Sequence, residues 1–307
     1  MKTTAICHGA ATIITAFAAG KGSAFGIDLW TKATAELNDS NKITAEIIGN
    51  PDENTNLMKC CARRVLDYFK KDYGVDIKTE SNIPIAVGLK SSSTAANASV
   101  LAIVGAIARE NGQIKEVRLD KNTREQKITI DDKEVTPETL INLGVDAAFD
   151  AKVTITGAFD DASASFLGGF TVTDNLKRKI LRSGDMESLD VTVLIPKTKK
   201  EYSGSFDTKR IKLFEREMSV IWNEALRGNL YTAMTLNGLL HSAVYGHNNE
   251  IIINALESGA IAAGLSGTGP AVVALIRDIN KIRDSWSQFD GKIIETKTNN
   301  ERAKILS

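Results

Sequence analysis

The stretch PIAVGLKSSSTAANA, residues 84–98, decides how the chain is read. Pro84, Ile85, Ala86 and Val87 form a Pro-bounded lead-in, and Gly88 and Lys90 flank Leu89. Ser91, Ser92, Ser93 and Thr94 then open an alanine-rich run. That run continues as SVLAIVGAIA, residues 99–108, with the length and composition of a buried helix that Gly112 would end. The serines stand where such a helix begins, so they can cap its first amides. Amides left uncapped there point outward beside the positive end of the helix dipole, a ready anion site. Gly88 lets the chain approach a ligand closely, and Lys90 adds a mobile positive charge. The stretch reads as a phosphate-binding loop; the plainer alternative is a Ser-capped core helix. The pattern G-x-x-x-x-G-K-[ST] fails here because Lys90 follows Leu89, and at Gly20-Lys21 because Gly22 takes the Ser/Thr position.

At 307 residues the chain is long enough for two domains with ample core. Lys+Arg and Asp+Glu both number 38, which argues against a basic footprint for nucleic acid and against a polybasic membrane tail. Cys7, Cys60 and Cys61 are too few and too oddly placed for a disulfide framework, and fit reduced thiols in a cytoplasmic protein. Lys2 followed by AICHGAATIITAFAAG has the outline of a signal peptide, but His8, Gly9 and two threonines interrupt its apolar region. No apolar run approaches the length of a membrane span. Oligomeric state is not legible.

Outward from the opening stretch, residues 3–7 read as a short strand. The four glycines of residues 9–26 suggest backbone wrapped around a ligand or a tight turn. Strands follow at 31–37, 43–48 and 75–79, with a helix over 54–73 that Gly74 ends. Residues 113–135 read as a solvent-exposed hairpin or insertion. Thr136 and Pro137 start a helix as N-cap and first residue, running to about Asp150, and VTIT at 153–156 reads as a strand. Next comes GAFDDASASFLGG, residues 157–169, where one of Asp160 and Asp161 can cap a turn and the other is free for chemistry. Residues 197–212 form a basic loop, either a solvated connection or a lid over an anion. Helices at 211–226, 230–245 and 250–257 lead to a strand, the small-residue loop Ser266, Gly267, Thr268, Gly269 and Pro270, and a strand–helix–strand ending near residue 297.

These loops, in this order, resemble the GHMP kinase superfamily. PIAVGLKSSST is similar to its ATP loop P-x-x-x-G-L-G-S-S-A, SGTGPAVVAL at 266–275 to its third motif, and GKGSAFGIDL at 20–29 loosely to its glycine-rich first motif. The departure is Lys90 where most of the superfamily has glycine. GLKSSS together with TGAFDDA at 156–162 looks like the archaeal-type shikimate kinases. The resemblance implies an α+β, two-domain fold, ribosomal-protein-S5-like over 1–170 and ferredoxin-like over 171–307, with the active site between them. It implies ATP-dependent phosphorylation of shikimate, with homoserine or another small alcohol as the alternative acceptor, or a non-catalytic sensor. Residues 84–94 would hold ATP. Ser92 and Asp150 would hold Mg²⁺, with Asp161 as catalytic aspartate, Asp160 beside it and Lys21 oriented by it. Lys21, Asp28 and the 266–269 loop would meet the substrate, with Arg210 and Lys200 as alternative cations for its carboxylate.

Overall fold

The computed structural model describes residues 1–118, 124–197 and 209–307. Its organising element is a long antiparallel hairpin of β1 (Lys2–Ile14) and β2 (Lys21–Asn38), in register from Lys2 opposite Glu36 to Ile14 opposite Ser23, with irregularities at His8/Gly9 and Thr12/Ile14. The far edge of β2 is shared. Residues 31–38 pair with β4 (Gly74–Ser81), which carries β3 (Ile43–Ile47) in parallel, and residues 21–25 pair with β8 (Phe170–Asp174), which carries β9 (Lys179–Gly184). A two-residue β14 (Lys304–Ile305) joins β1. Sheet membership therefore does not divide at residue 170.

Against this sheet pack α1 (Asn56–Phe69), α2 (Ser91–Asn111) and α4 (Phe159–Leu167), and α3 (Pro137–Asp150) packs on those three helices. Thr136 caps α3 by accepting from the Thr139 amide, and Pro137 is its first residue. α2 is buried along almost all of its length because the sheet and three helices surround it. It is the one helix among the described residues long and apolar enough to cross a membrane, contrary to the expectation from sequence. Tertiary packing here accounts for that apolarity. β5 (Gly112–Arg118), β6 (Arg124–Ile130) and β7 (Lys133–Val135) form a three-stranded sheet rather than an exposed hairpin, and Ile128 and Ile130 are buried in the same core as α2.

A second antiparallel sheet has the order β11 (Ala262–Leu265), β12 (Val272–Ile276), β10 (Asp190–Pro196), β13 (Gly291–Lys297). Around it stand α5 (Lys209–Lys212), α6 (Glu215–Arg227), α7 (Leu230–Tyr245), α8 (Glu250–Glu257) and α9 (Ile279–Trp286).

Three further sequence readings change. Residues 9–26 are mostly hairpin strand rather than loop. Their glycines admit neighbours: a Cβ at Gly22 would strike the Asp160 carboxylate, and one at Gly26 would meet the Asn299 carbonyl. Residues 153–156 are irregular and join no sheet. α1 ends on Lys70 in the left-handed region, and Gly74 instead opens β4.

Candidate active site

The loop before α2, the start of α4 and the loop after β11 converge on one cavity of about 680 Å³. That is room for a nucleotide together with a small acceptor. Lys90 is left-handed (φ 62°, ψ 28°) and stands at the N-cap, where no side chain caps the helix. Ser91, Ser92 and Ser93 are thus the first helical residues and not its caps, which corrects the expectation. Ser91, Ser92 and Ser93 all stand on the cavity wall, so the uncapped start of α2 lies at the cavity.

The loop after β11 is tied to this turn. Ser266 Oγ donates to the Gly88 carbonyl at 2.7 Å and accepts from the Thr12 amide at 3.2 Å, while the Gly267 amide donates to Thr12 Oγ1 at 2.8 Å. Gly88, at φ 94°, has no space for a Cβ because the Ser266 carbonyl lies there. Ser266 is wholly buried in this joint and, like Gly269, stays off the wall, to which the loop contributes Gly267 and Thr268.

From Pro84 to Thr94, the wall takes Ile85, Ala86, Gly88, Lys90, Ser91, Ser92 and Ser93. Pro84 is not part of it. Val87 and Leu89 turn into the core, and Thr94 Oγ1 is committed to the Lys90 carbonyl at 2.9 Å.

Two left-handed residues, Gly157 and Ala158, swing the chain into α4, whose first turn carries Asp160 and Asp161. Buried Asn97 of α2 donates to the Ala162 carbonyl at 2.9 Å and so fixes α4 against α2. Asp161 Oδ1 lies 3.1 Å from Lys90 Nζ, with side chains only 13% and 9% exposed, as an ion pair without a well-aligned hydrogen bond. Asp160 is buried, and its Oδ1 accepts from Asn175 Nδ2 at 2.7 Å. Burial raises the proton affinity of both carboxylates. Asp161 is pushed up to about 7, by burial first and then by the charge of Asp160, against the pull of Lys90. On Asp160 the same burial is opposed by Lys90 and then by the Asn175 hydrogen bond.

Four further expected residues are not brought here. Asp150 is held by Arg64, with Nε and Nη2 at 2.5 and 2.6 Å from its carboxylate, a pairing that keeps it below the usual carboxylate range. It is not on the wall and does not fit as a metal ligand. Lys21 packs its ammonium over the Trp222 ring at 4.5 Å, while Asp28 and Arg210 are exposed away from the cavity. Lys200 lies outside the described residues. The donors on the wall suit a hard cation held mainly by a nucleotide's own phosphates, with the Ser92 hydroxyl as a protein oxygen.

Residues 56–123 match the GHMP kinases N terminal domain and residues 205–292 the GHMP kinases C terminal. A shikimate kinase of Methanothermobacter thermautotrophicus is 40% identical over 308 residues, covering 100% of this chain and 99% of the relative. The chain belongs to the GHMP kinases. A second archaeal relative of this GHMP kinase, a shikimate kinase of Methanothrix thermoacetophila, is 42% identical over 307 residues, covering 99% and 96%. Among solved structures, homoserine kinase from Cytophaga hutchinsonii superposes with a TM-score of 0.70 at 15% identity, covering 99% of this chain and 97% of that one. Methanococcus jannaschii mevalonate kinase gives 0.70 at 15%, covering 97% and 98%. At such identity they bear on the fold alone, and the expected α+β GHMP kinase fold is borne out.

Sequence reasoning passed over much of the GHMP kinase's cavity wall. Thr15, Ala16 and Phe17 come from the β1–β2 turn, Asn50, Glu53 and Asn54 from the β3–α1 connection, and residues 151–156 from the stretch after α3, of which 153–156 read as a strand. Asn175 was missed as well. Its only signal is its place one residue after β8.

Proposed function

We propose that this GHMP kinase transfers the γ-phosphoryl group of ATP to a ring hydroxyl of shikimate, giving shikimate 3-phosphate for chorismate and aromatic amino-acid biosynthesis in the cytoplasm. The observation that carries the reading is the Lys90–Asp161 pair at the uncapped start of α2, inside a cavity large enough for donor and acceptor. The archaeal relatives named shikimate kinase support the choice of acceptor.

Phosphoryl transfer asks a protein chiefly for positioning and for neutralising charge. The first amides of α2, the Lys90 ammonium and the hydroxyls of Ser91, Ser92 and Ser93 hold the phosphates. Mg²⁺, held by the phosphates and Ser92, supplies neutralisation of phosphate charge when bound. Asp161 aligns the acceptor hydroxyl and takes its proton as that oxygen bonds to the γ-phosphorus. The bond from the γ-phosphorus to the bridging oxygen breaks, and its electron pair leaves with ADP. Gly267 and Thr268 line the acceptor side, where close backbone suits a small polyhydroxylated ring.

A coupled ADP-release assay over shikimate, homoserine, mevalonate and galactose tests the reading. Shikimate turns over far faster than the rest, since a wrong acceptor leaves buried polar groups unpaired. Equal turnover of homoserine would reject the acceptor, and binding of ATP and shikimate without turnover would support a sensor instead.

A further inference from the structure

The Asp160–Asp161 pair poses a problem that the reaction alone does not solve. Two adjacent buried carboxylates repel, and the proton goes to whichever is less well supported. The supports differ. Asp161 faces the cavity and meets Lys90. Asp160 also touches the cavity wall, but its Oδ1 is taken by a chain of buried polar groups. Thr173 Oγ1 lies 2.6 Å from Asn175 Oδ1, and Asn175 Nδ2 lies 2.7 Å from Asp160 Oδ1. Both Thr173 and Asn175 are buried, and the Asn175 amide is pinned to the Gly20 carbonyl at 2.9 Å. With the Thr173 hydroxyl donating to its carbonyl oxygen, Asn175 can present only N–H to Asp160, which favours the ionised carboxylate.

We propose that Asn175, oriented by Thr173, is a positioning residue that holds Asp160 ionised and aimed, so that Asp160 is a standing charge and Asp161 alone moves the proton. The inference rests on the reading of Asp161 as proton acceptor. α4 packs against β1, β2, β8, α2 and α3. From these, among the described residues, Lys90 is the charged side chain acting on either carboxylate, and it pairs with Asp161; Asp160 has backbone amides and the Asn175 side chain instead, and the Asn175 relay is the side-chain support that Asp161 lacks. Gly22 contributes space, since any side chain there would strike Asp160.

The test is a pH–rate profile with Mg-ATP and shikimate, joined to a carboxyl ¹³C titration of the free enzyme that needs no turnover. In wild type Asp160 titrates below Asp161. In Asn175→Leu Asp160 loses its donor and gains a proton, which relieves Asp161. The acid limb of kcat then moves down by about one pH unit, the worth of a hydrogen bond to a charge. KM for Mg-ATP stays within about twofold, because the phosphate site is untouched. Thr173→Val moves the limb the same way by less, and decides the matter if Asn175→Leu does not fold. Asp160→Asn reproduces the shift. A lower kcat with an unmoved limb and unchanged titration order would make the relay merely structural and overturn the proposal. Full turnover in Asp161→Asn would instead reject the proton acceptor itself, while the ¹³C order still reports on Asn175.

Discussion

Replacing Lys90 by the glycine common in the family separates what this lysine costs from what it does. It sits in the left-handed region, where a side chain costs roughly 1–2 kcal/mol that glycine avoids. Lys90→Gly recovers that at every pH. It also removes the cation 3.1 Å from buried Asp161. Breaking a buried pair costs about 3–5 kcal/mol while the remaining partner is charged. The balance depends on pH. Asp161 has its folded proton affinity raised above the unfolded value of 3.8 to about 7. The folded protein therefore binds the extra proton, and wild-type stability falls as pH rises through this window.

Below it Asp161 is protonated, the pair contributes little, and relief of strain dominates. Above it wild-type Asp161 ionises beside Lys90, whereas in the variant it keeps its proton to higher pH and loses that stabilisation, about 1.4 kcal/mol for each pH unit above 7. Thermal unfolding should give Lys90→Gly a higher Tm than wild type at pH 5, with an advantage that shrinks as pH rises past 7. Lys90→Met, which keeps the left-handed side chain, should be without the gain at pH 5. An opposite charge at this range lowers a carboxylate by about one to three pH units. The acid limb of kcat should accordingly move up in Lys90→Gly, and KM for Mg-ATP should rise by about tenfold, the worth of one charge-assisted contact. A Tm difference that is flat with pH, with an unmoved limb, would show that Lys90 and Asp161 are not coupled and refute the reasoning.

Asp161→Asn lowers kcat by about 10²–10⁴, the usual worth of a positioned base, with KM for ATP little changed, and Asp160→Asn is milder. Steady-state kinetics check both, and collapse of Asp160→Asn alone would move the role by one residue. Ser92→Ala weakens use of Mg-ATP with the fold intact, read from the Mg²⁺ dependence of the rate. Asp150→Ala leaves that dependence unchanged, because its carboxylate belongs to Arg64. Being exposed, the pair is worth about 0–1 kcal/mol in a denaturant titration.

Local signals were legible. The apolar run of α2 and the Thr136-Pro137 start of α3 depend on neighbours within one turn, and both helices stand where the pattern puts them. Choice of partner was not. Glycines 22 and 26 read as loop because composition cannot tell a turn from a strand that must admit a carboxylate or a carbonyl. VTIT has strand composition but pairs with no strand in the structure. Asp150 has the right place in the order of motifs, yet Arg64, 86 residues away, takes it.

The aspartate pair shows the same division more finely. Its chemistry is visible in the sequence, but the asymmetry between its members comes from Lys90 on one side and Asn175 on the other. Lys90 links the two kinds of information. A glycine in the family pattern marks a left-handed turn, and the structure has that turn here. A lysine tolerates it only at a cost in strain, so its presence needs a compensating contact, and the buried carboxylate of Asp161 is that contact. The departure from the pattern was therefore a more specific signal than the motif around it. A motif describes how phosphate is held, whereas a strained exception to it marks where a charge was required.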